Sequence, residues 1–293
     1  MQLQKLFLIP VLLLAGTLHA QERPAAREEE RVTLLTDDGW QLNALYLRAA
    51  DNAPTVVLIH SQKLDLTEWN IWFPHLKRYG YGYLAMDLRG HGNSFVAPDG
   101  STTTYKAFAV SGPNNEFNKM IRDVESALAH LSTNGVTGDR IILAGSVLGA
   151  NLAIKAAAIH PDISMTAAFS PVLNVNDVLS VNPLRAYGKR PLLLAGGANR
   201  AKQYKELQLL NDIAKQACGR ENITSIVEAE GFGAGELVTK YNLRKFFNWF
   251  KNPRLPFVVE RSSAPAQPDL TPEEGNGERP AEENSPEDAP VYE

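Results

Sequence analysis

The sequence predicts an α/β protein, a doubly wound and mostly parallel sheet with helices on both faces. Three observations predict it. Short aliphatic and β-branched runs alternate with helical segments over residues 31–252. Runs such as Thr55–His60 are continuously apolar, as strands covered on both faces must be. The helical segments between them are long enough to be the crossovers that parallel strands require.

The elements follow in order. Arg31–Thr36 and Gln41–Arg48 alternate apolar and polar residues around Asp37-Asp38-Gly39, the signature of a hairpin. Leu66–Tyr79 has helical spacing, with Trp69, Trp72, Phe73 and Leu76 on one side. Strand Tyr83–Leu88, helix Glu116–Ser132, strand Arg140–Gly145, helix Leu148–His160 and strand Met165–Ser170 come next. Strand Pro191–Ala195, helix Lys202–Ala217, strand Ile223–Ala229 and helix Leu237–Phe250 complete the series. The aromatic residues Phe246, Phe247, Trp249 and Phe250 fit a terminal helix packed on the sheet. Phe95–Pro113, rich in Gly, Ser, Thr and Pro, is expected to be a loop over the carboxyl ends of the strands, where such sheets place their sites.

Both ends differ from this body. Lys5 precedes an apolar run, Leu6–Gly16, that is too short for a bilayer and ends at Ala20, the pattern of a secretory signal peptide covering residues 1–20. The expectation is an exported protein, periplasmic or secreted, with no membrane span after cleavage. Residues 21–30 read as a linker. Residues 253–293 read as a disordered acidic, Pro-rich tail; from 262 onward it holds nine acids and one base, Arg279, a local charge of −8. This tail is a candidate interaction segment. The whole chain of 293 residues carries −4, which leaves only +4, scattered, on the rest and argues against nucleic-acid binding. The single cysteine, Cys218, excludes an intramolecular disulfide framework and a Cys-based zinc site. No cofactor and no metal are expected, because no phosphate-loop pattern and no metal-ligand spacing occurs.

Several stretches carry a family resemblance: Asp87-Leu-Arg-Gly-His-Gly-Asn-Ser94, Asp139–Gly145, Gly149-Ala-Asn-Leu-Ala153, His160-Pro-Asp162, Ser170-Pro171 and Pro191–Ala195. Together they resemble the α/β-hydrolase family, in particular small bacterial dienelactone-hydrolase-like and serine-aminopeptidase-like members. The resemblance implies the α/β-hydrolase fold, and a Ser on a sharp strand-to-helix turn, oriented toward a His and an Asp.

All three positions are substituted. The elbow reads Gly145-Ser146-Val147-Leu148-Gly149, with Val147 where the nucleophile belongs. The turn holds its central residue at positive φ, so Val147 is expected to be a backbone outlier unless the elbow has relaxed. Asn199, in Gly196-Gly197-Ala198-Asn199, occupies the position of the acid, and Ala234, between Gly233 and Gly235, that of the base. The six histidines are residues 19, 60, 75, 91, 130 and 160, so none follows the later strands. His160 closes a helix that places it about 18 Å from the elbow. Glu236 is the one acid near Ala234 worth testing as a base. Ser146 is the fallback nucleophile, although a frame centred on it puts bulky Leu148 where a small residue is wanted.

These substitutions point to a protein that has lost acyl transfer on a preserved frame. The expected role is binding or scaffolding, with an unknown small molecule or protein as partner. The alternatives are an active esterase- or peptidase-like hydrolase built around Ser146, and a small-ligand receptor. Either a pocket or a filled core is expected at the old site. A pocket would be formed by Ser61, Gln62, Ser146 and Leu148, where the resemblance implies one oxyanion N–H in the loop of the first two and the other at Leu148, joined by Val147, Asn199 and Ala234. Restoring Ser, Asp and His together is expected to create some activity if the frame is intact.

Overall fold

The computed structural model describes residues 27–112 and 114–253. Residues 1–20, read as a signal peptide, lie outside the described residues, as do nearly all of the stretch read as an acidic tail and most of that read as a linker.

The first elements of the described residues are the hairpin strands β1 (Glu29–Leu35) and β2 (Gln41–Leu47), paired antiparallel from Glu29 opposite Leu47 to Leu35 opposite Gln41. Strand β1 therefore starts inside the stretch read as linker. Strand β3 (Thr55–Ile59), a 3₁₀ turn Leu66–Trp69, helix α1 (Phe73–Arg78) and strand β4 (Gly82–Met86) follow. Helices α2 (Glu116–Lys119) and α3 (Ile121–Thr133) lead to β5 (Ile141–Ser146), α4 (Leu148–Ile159) and β6 (Met165–Phe169). A short hairpin, β7 (Asn174–Val175) with β8 (Val178–Leu179), and α5 (Val181–Ala186) were not foreseen. Then come β9 (Leu192–Gly197), α6 (Ala201–Cys218), β10 (Ile223–Glu228), α7 (Gly233–Leu237) and α8 (Leu243–Lys251).

The main sheet runs β1-β2-β4-β3-β5-β6-β9-β10. Its first two pairings are antiparallel and the rest parallel, so the chain switches direction at β3 between β4 and β5. Every residue of β3, β4 and β5 is buried, which is why those strands read as unbroken apolar runs. One core packs α3, α4, α5 and α6 against one face, and a second packs α1, α7 and α8 against the other. In the second, Trp72 lies 5.4 Å from both Phe169 and Phe247 and 5.8 Å from Phe250, so the terminal aromatic residues do pack a helix on the sheet.

Two polar clusters fix the loops that leave the strand ends. Arg89 is fully buried and donates to Asp123 (Nε to Oδ1, 2.8 Å), to Asp38 (2.7 Å) and to Glu116 (2.9 Å). Burial pushes the Asp123 carboxyl up, and the guanidinium pulls against that shift. Asp87 accepts from Leu66 N (2.9 Å), Asn93 N (2.9 Å) and Asn43 Nδ2 (2.8 Å). It thereby pins the 3₁₀ turn after β3 to the end of β4. Gly92, at φ 49°, leaves the space that the Asp87 carboxylate fills.

Candidate functional site

Strand β5 ends at Ser146 and the chain turns sharply into α4. Val147 sits at the apex with φ 48° and ψ −99°, a conformation a β-branched residue adopts only at a cost. Of the two forms the turn was expected to take, it has kept the strained one. Its N–H donates to Phe169 O at 2.9 Å and its carbonyl accepts from Asn151 N at 3.2 Å. Asn151 in turn donates to the carbonyls of Val172 (2.9 Å) and Val178 (2.7 Å), anchoring the β7–β8 hairpin to α4.

In front of Val147 lies a cleft of about 510 Å³ lined by Ser61, Gln62, Lys63, Leu64, Glu68, Val147, Arg200, Phe232, Gly235 and Glu236. Of the expected pocket residues, Ser61 and Gln62 line it. Ser146 and Leu148 do not, because both side chains are fully buried behind the elbow. Ala234 is also fully buried, packed among the apolar residues beneath α7 and α8. Asn199 is exposed and outside the lining; the next residue, Arg200, faces the cleft instead. The three triad-equivalent positions therefore do not share one cavity.

The turn that carries Ala234 is sealed to the strand ends by three successive N–H groups. Gly233 N donates to Ser170 Oγ (2.9 Å), Ala234 N to Ser146 Oγ (2.8 Å) and Gly235 N to Glu68 Oε1 (3.2 Å). Ser146 Oγ, having accepted from Ala234, donates to Glu68 Oε1 at 2.6 Å. The other oxygen of Glu68 accepts from Ser61 N at 2.8 Å. One carboxylate thus joins the loop after β3, the end of β5 and the start of α7. Sequence reasoning missed Glu68 because it sits in a segment read only for its aromatic face. An acid seven residues beyond the oxyanion loop was the available signal.

Glu236 does not approach Ser146. Its carboxylate accepts from Phe232 N (3.0 Å) and pairs with Arg200 (3.3 Å), whose guanidinium lies 4.8 Å from the Phe232 ring centre.

Two histidines stand at the site, and backbone groups hold both. His60 Nδ1 meets Ser61 O at 2.7 Å and Nε2 accepts from Leu88 N at 2.9 Å, which sets the Nδ1–H tautomer. Burial drives its pKa down to about 3. His91 lies between Arg89 O (2.9 Å) and Gln62 O (2.5 Å), stacked on Tyr105, and burial lowers its pKa as well. The rings draw the Ser61 and Gln62 carbonyls inward, so the N–H groups of Gln62 and Lys63 turn the other way, because a trans peptide sets C=O and N–H antiparallel. His75 packs on Phe247, His130 on Tyr46, and His160 pairs with Glu125 at 2.8 Å. Among the described residues no imidazole bonds Ser146 or Glu68, and no group of three His, Cys, Asp or Glu is arranged to hold a metal ion.

Residues 51–218, more than half of the chain, match the family model described as serine aminopeptidase, S33. The chain belongs to the serine aminopeptidase family. Among curated proteins no match is found. Solved structures share its fold. An esterase of Pyrococcus furiosus is 18% identical over 77% of this chain and 88% of its own, with TM-score 0.56. A Thermoplasma acidophilum protein predicted to be a CIB-like hydrolase is 16% identical over 77% and 99%, with TM-score 0.57. A 2,6-dihydroxy-pseudo-oxynicotine hydrolase is 14% identical over 78% and 69%, with TM-score 0.60. Serine aminopeptidase family membership and the eight-stranded, mostly parallel sheet agree with the α/β-hydrolase fold expected from the sequence.

Proposed function

We propose that this member of the serine aminopeptidase family binds a small molecule in the cleft beside Val147 without cleaving it. The observation that carries this reading is the apex of the elbow, where an aliphatic side chain faces the cleft and the hydroxyl beside it is buried. A valine supplies no nucleophile. Losing such machinery leaves at most the modest acceleration, about 10³–10⁴ over water, that binding and oxyanion stabilisation give. The frame that remains is still a concave site with apolar walls (Leu64, Phe232, Val147) and converging polar groups, the usual form of a small-molecule site. The signal-like pattern of residues 1–20 supports a role in an exported protein, periplasmic or secreted. Cell fractionation with an antibody to the mature chain tests that placement.

A second reading has one observation behind it. Ser146 Oγ donates to Glu68 at 2.6 Å, so a carboxylate is in place to draw a proton from a hydroxyl. The weight lies against it, because Ser146 is fully buried and its oxygen already accepts from Ala234 N. Hydrolysis of short-chain aryl esters by the purified mature protein separates the two. Turnover at the buffer rate, unchanged in Ser146→Ala, supports binding without cleavage. Turnover well above buffer that both Ser146→Ala and Glu68→Gln abolish establishes the hydrolase.

A further inference from the structure

Glu68 is held in an unusual way for a surface acid. Three donors from three distant segments converge on it: Ser61 N (2.8 Å), Ser146 Oγ (2.6 Å) and Gly235 N (3.2 Å). A carboxylate offers about four acceptor positions, so this arrangement nearly saturates it. No ion pair to Glu68 occurs among the described residues. The donors are fixed, two by the backbone and one by full burial, whereas the acceptor is a half-buried side chain that lines the cleft.

We infer that Ser61 N–H, Ser146 O–H and Gly235 N–H form an anion cradle that Glu68 fills in the absence of ligand, and that the cleft takes the carboxylate of a small organic acid there by exchange with Glu68. The inference rests on the binding role proposed above. Exchange replaces one carboxylate by another on the same donors, so the hydrogen bonds nearly cancel, and Glu68 regains water as it turns out. What favours the ligand is the rest of the cleft. Leu64, Phe232 and Val147 shield an apolar body, and among the lining charges Arg200 is already paired with Glu236, which leaves Lys63 as the cation facing the ligand. These walls select an organic acid over an inorganic ion. The volume of about 510 Å³ admits a body of several carbon atoms.

Calorimetric titration of the mature full-length chain with hexanoate and with hexanol tests the exchange. Hexanoate binds one site, and hexanol binds about tenfold more weakly or not at all, because an uncharged hydroxyl cannot displace Glu68 from its three donors and the side chain stays in the cleft. In Glu68→Ala the resident competitor is gone. Hexanoate affinity rises about tenfold, and acetate, too small to use the walls, raises the melting temperature of this variant but not of the wild type. Ser146→Ala takes one donor from Glu68 and from hexanoate alike, so it leaves hexanoate affinity about unchanged in the wild-type background and weakens it about tenfold in the Glu68→Ala background. Glu68→Gln, a weaker resident competitor of the same size, raises hexanoate affinity where Glu68→Ala fails to fold. Equal binding of hexanoate and hexanol overturns the cradle while leaving the cleft a binding site. Hexanoate affinity that neither rises on Glu68→Gln nor falls when Ser146→Ala is added to Glu68→Ala overturns it as well. Ester turnover that depends on Ser146 overturns the binding role, and the titrations still decide the cradle.

Discussion

Gly145 packs against Gly149 so closely that a Cβ on the first would overlap the carbonyl group of the second. A Cβ on Gly149 would in turn overlap the carbonyl of Ile59. The sharp elbow therefore depends on both glycines, whatever residue stands at its apex. Gly145→Ala and Gly149→Ala are each expected to destabilise the fold by about 3 kcal/mol, because the atoms in the way are backbone and cannot step aside. Urea unfolding gives the check, through a lowered midpoint at an unchanged slope.

Val147 lies opposite to its neighbours in this respect, since it would gain from losing its side chain. At φ 48° and ψ −99° glycine is at ease and valine is strained. The valine faces the cleft, so little buried surface is lost on removal. Val147→Gly is expected to raise stability by about 1 kcal/mol, and Val147→Ile to give no gain. The same urea midpoints, measured side by side, decide it.

The parallel strands were legible because β3, β4 and β5 are buried on both faces and carry no polar interruption. Apart from the short α5, the helices were legible in place and less so in extent. Leu66–Tyr79 divides, because Pro74 lacks an N–H and fits only the first turn of α1. The stretch read as Leu237–Phe250 begins earlier, at Gly233, and then breaks. Asn242 accepts from Thr239 N (2.7 Å) and donates to Leu237 O (2.9 Å), so its side chain takes backbone groups that a continuous helix would use. Glu116–Ser132 also breaks, at Met120, and nothing in the structure explains that break. At the site, Val147 and its conformation were readable from local glycine spacing. Glu68 was not, because its three partners at 61, 146 and 235 meet only when β3, β5 and α7 are brought together. No local pattern records such a meeting.

Restoring the triad residues is expected to fail, contrary to what the sequence alone suggests. Ala234 is fully buried against apolar side chains and Asn199 points to solvent, so a His and an Asp placed there would not face residue 147. Histidine at 234 adds a ring where there is no space, a change that costs about 1–3 kcal/mol. The variant Val147→Ser, Asn199→Asp, Ala234→His should hydrolyse an aryl acetate no faster than Val147→Ser alone and should unfold at lower urea. Turnover above the single variant would show that the Gly233–Gly235 turn lifts away from Ser146 and Ser170 readily.

The last prediction concerns pH and follows from His60. Its Nε2 accepts from Leu88 N in a fully buried position, so protonation would break that bond and bury a charge, and the folded pKa falls from 6.5 to about 3. The unfolded chain takes up the proton near 6.5 and the folded chain does not. Stability is therefore full above about pH 6.5 and is lost progressively as pH falls toward about 3. At pH 5 the gap is about 1.5 pH units, or about 2 kcal/mol from this residue alone. His91, lowered by burial as well, adds to the loss in the same direction. Urea unfolding at pH 7 and pH 5 should show the decline. His60→Asn offers the chain no group to protonate, so it should be less stable at pH 7 and show a shallower fall between the two. An equal fall in both proteins would assign the acid sensitivity to other groups.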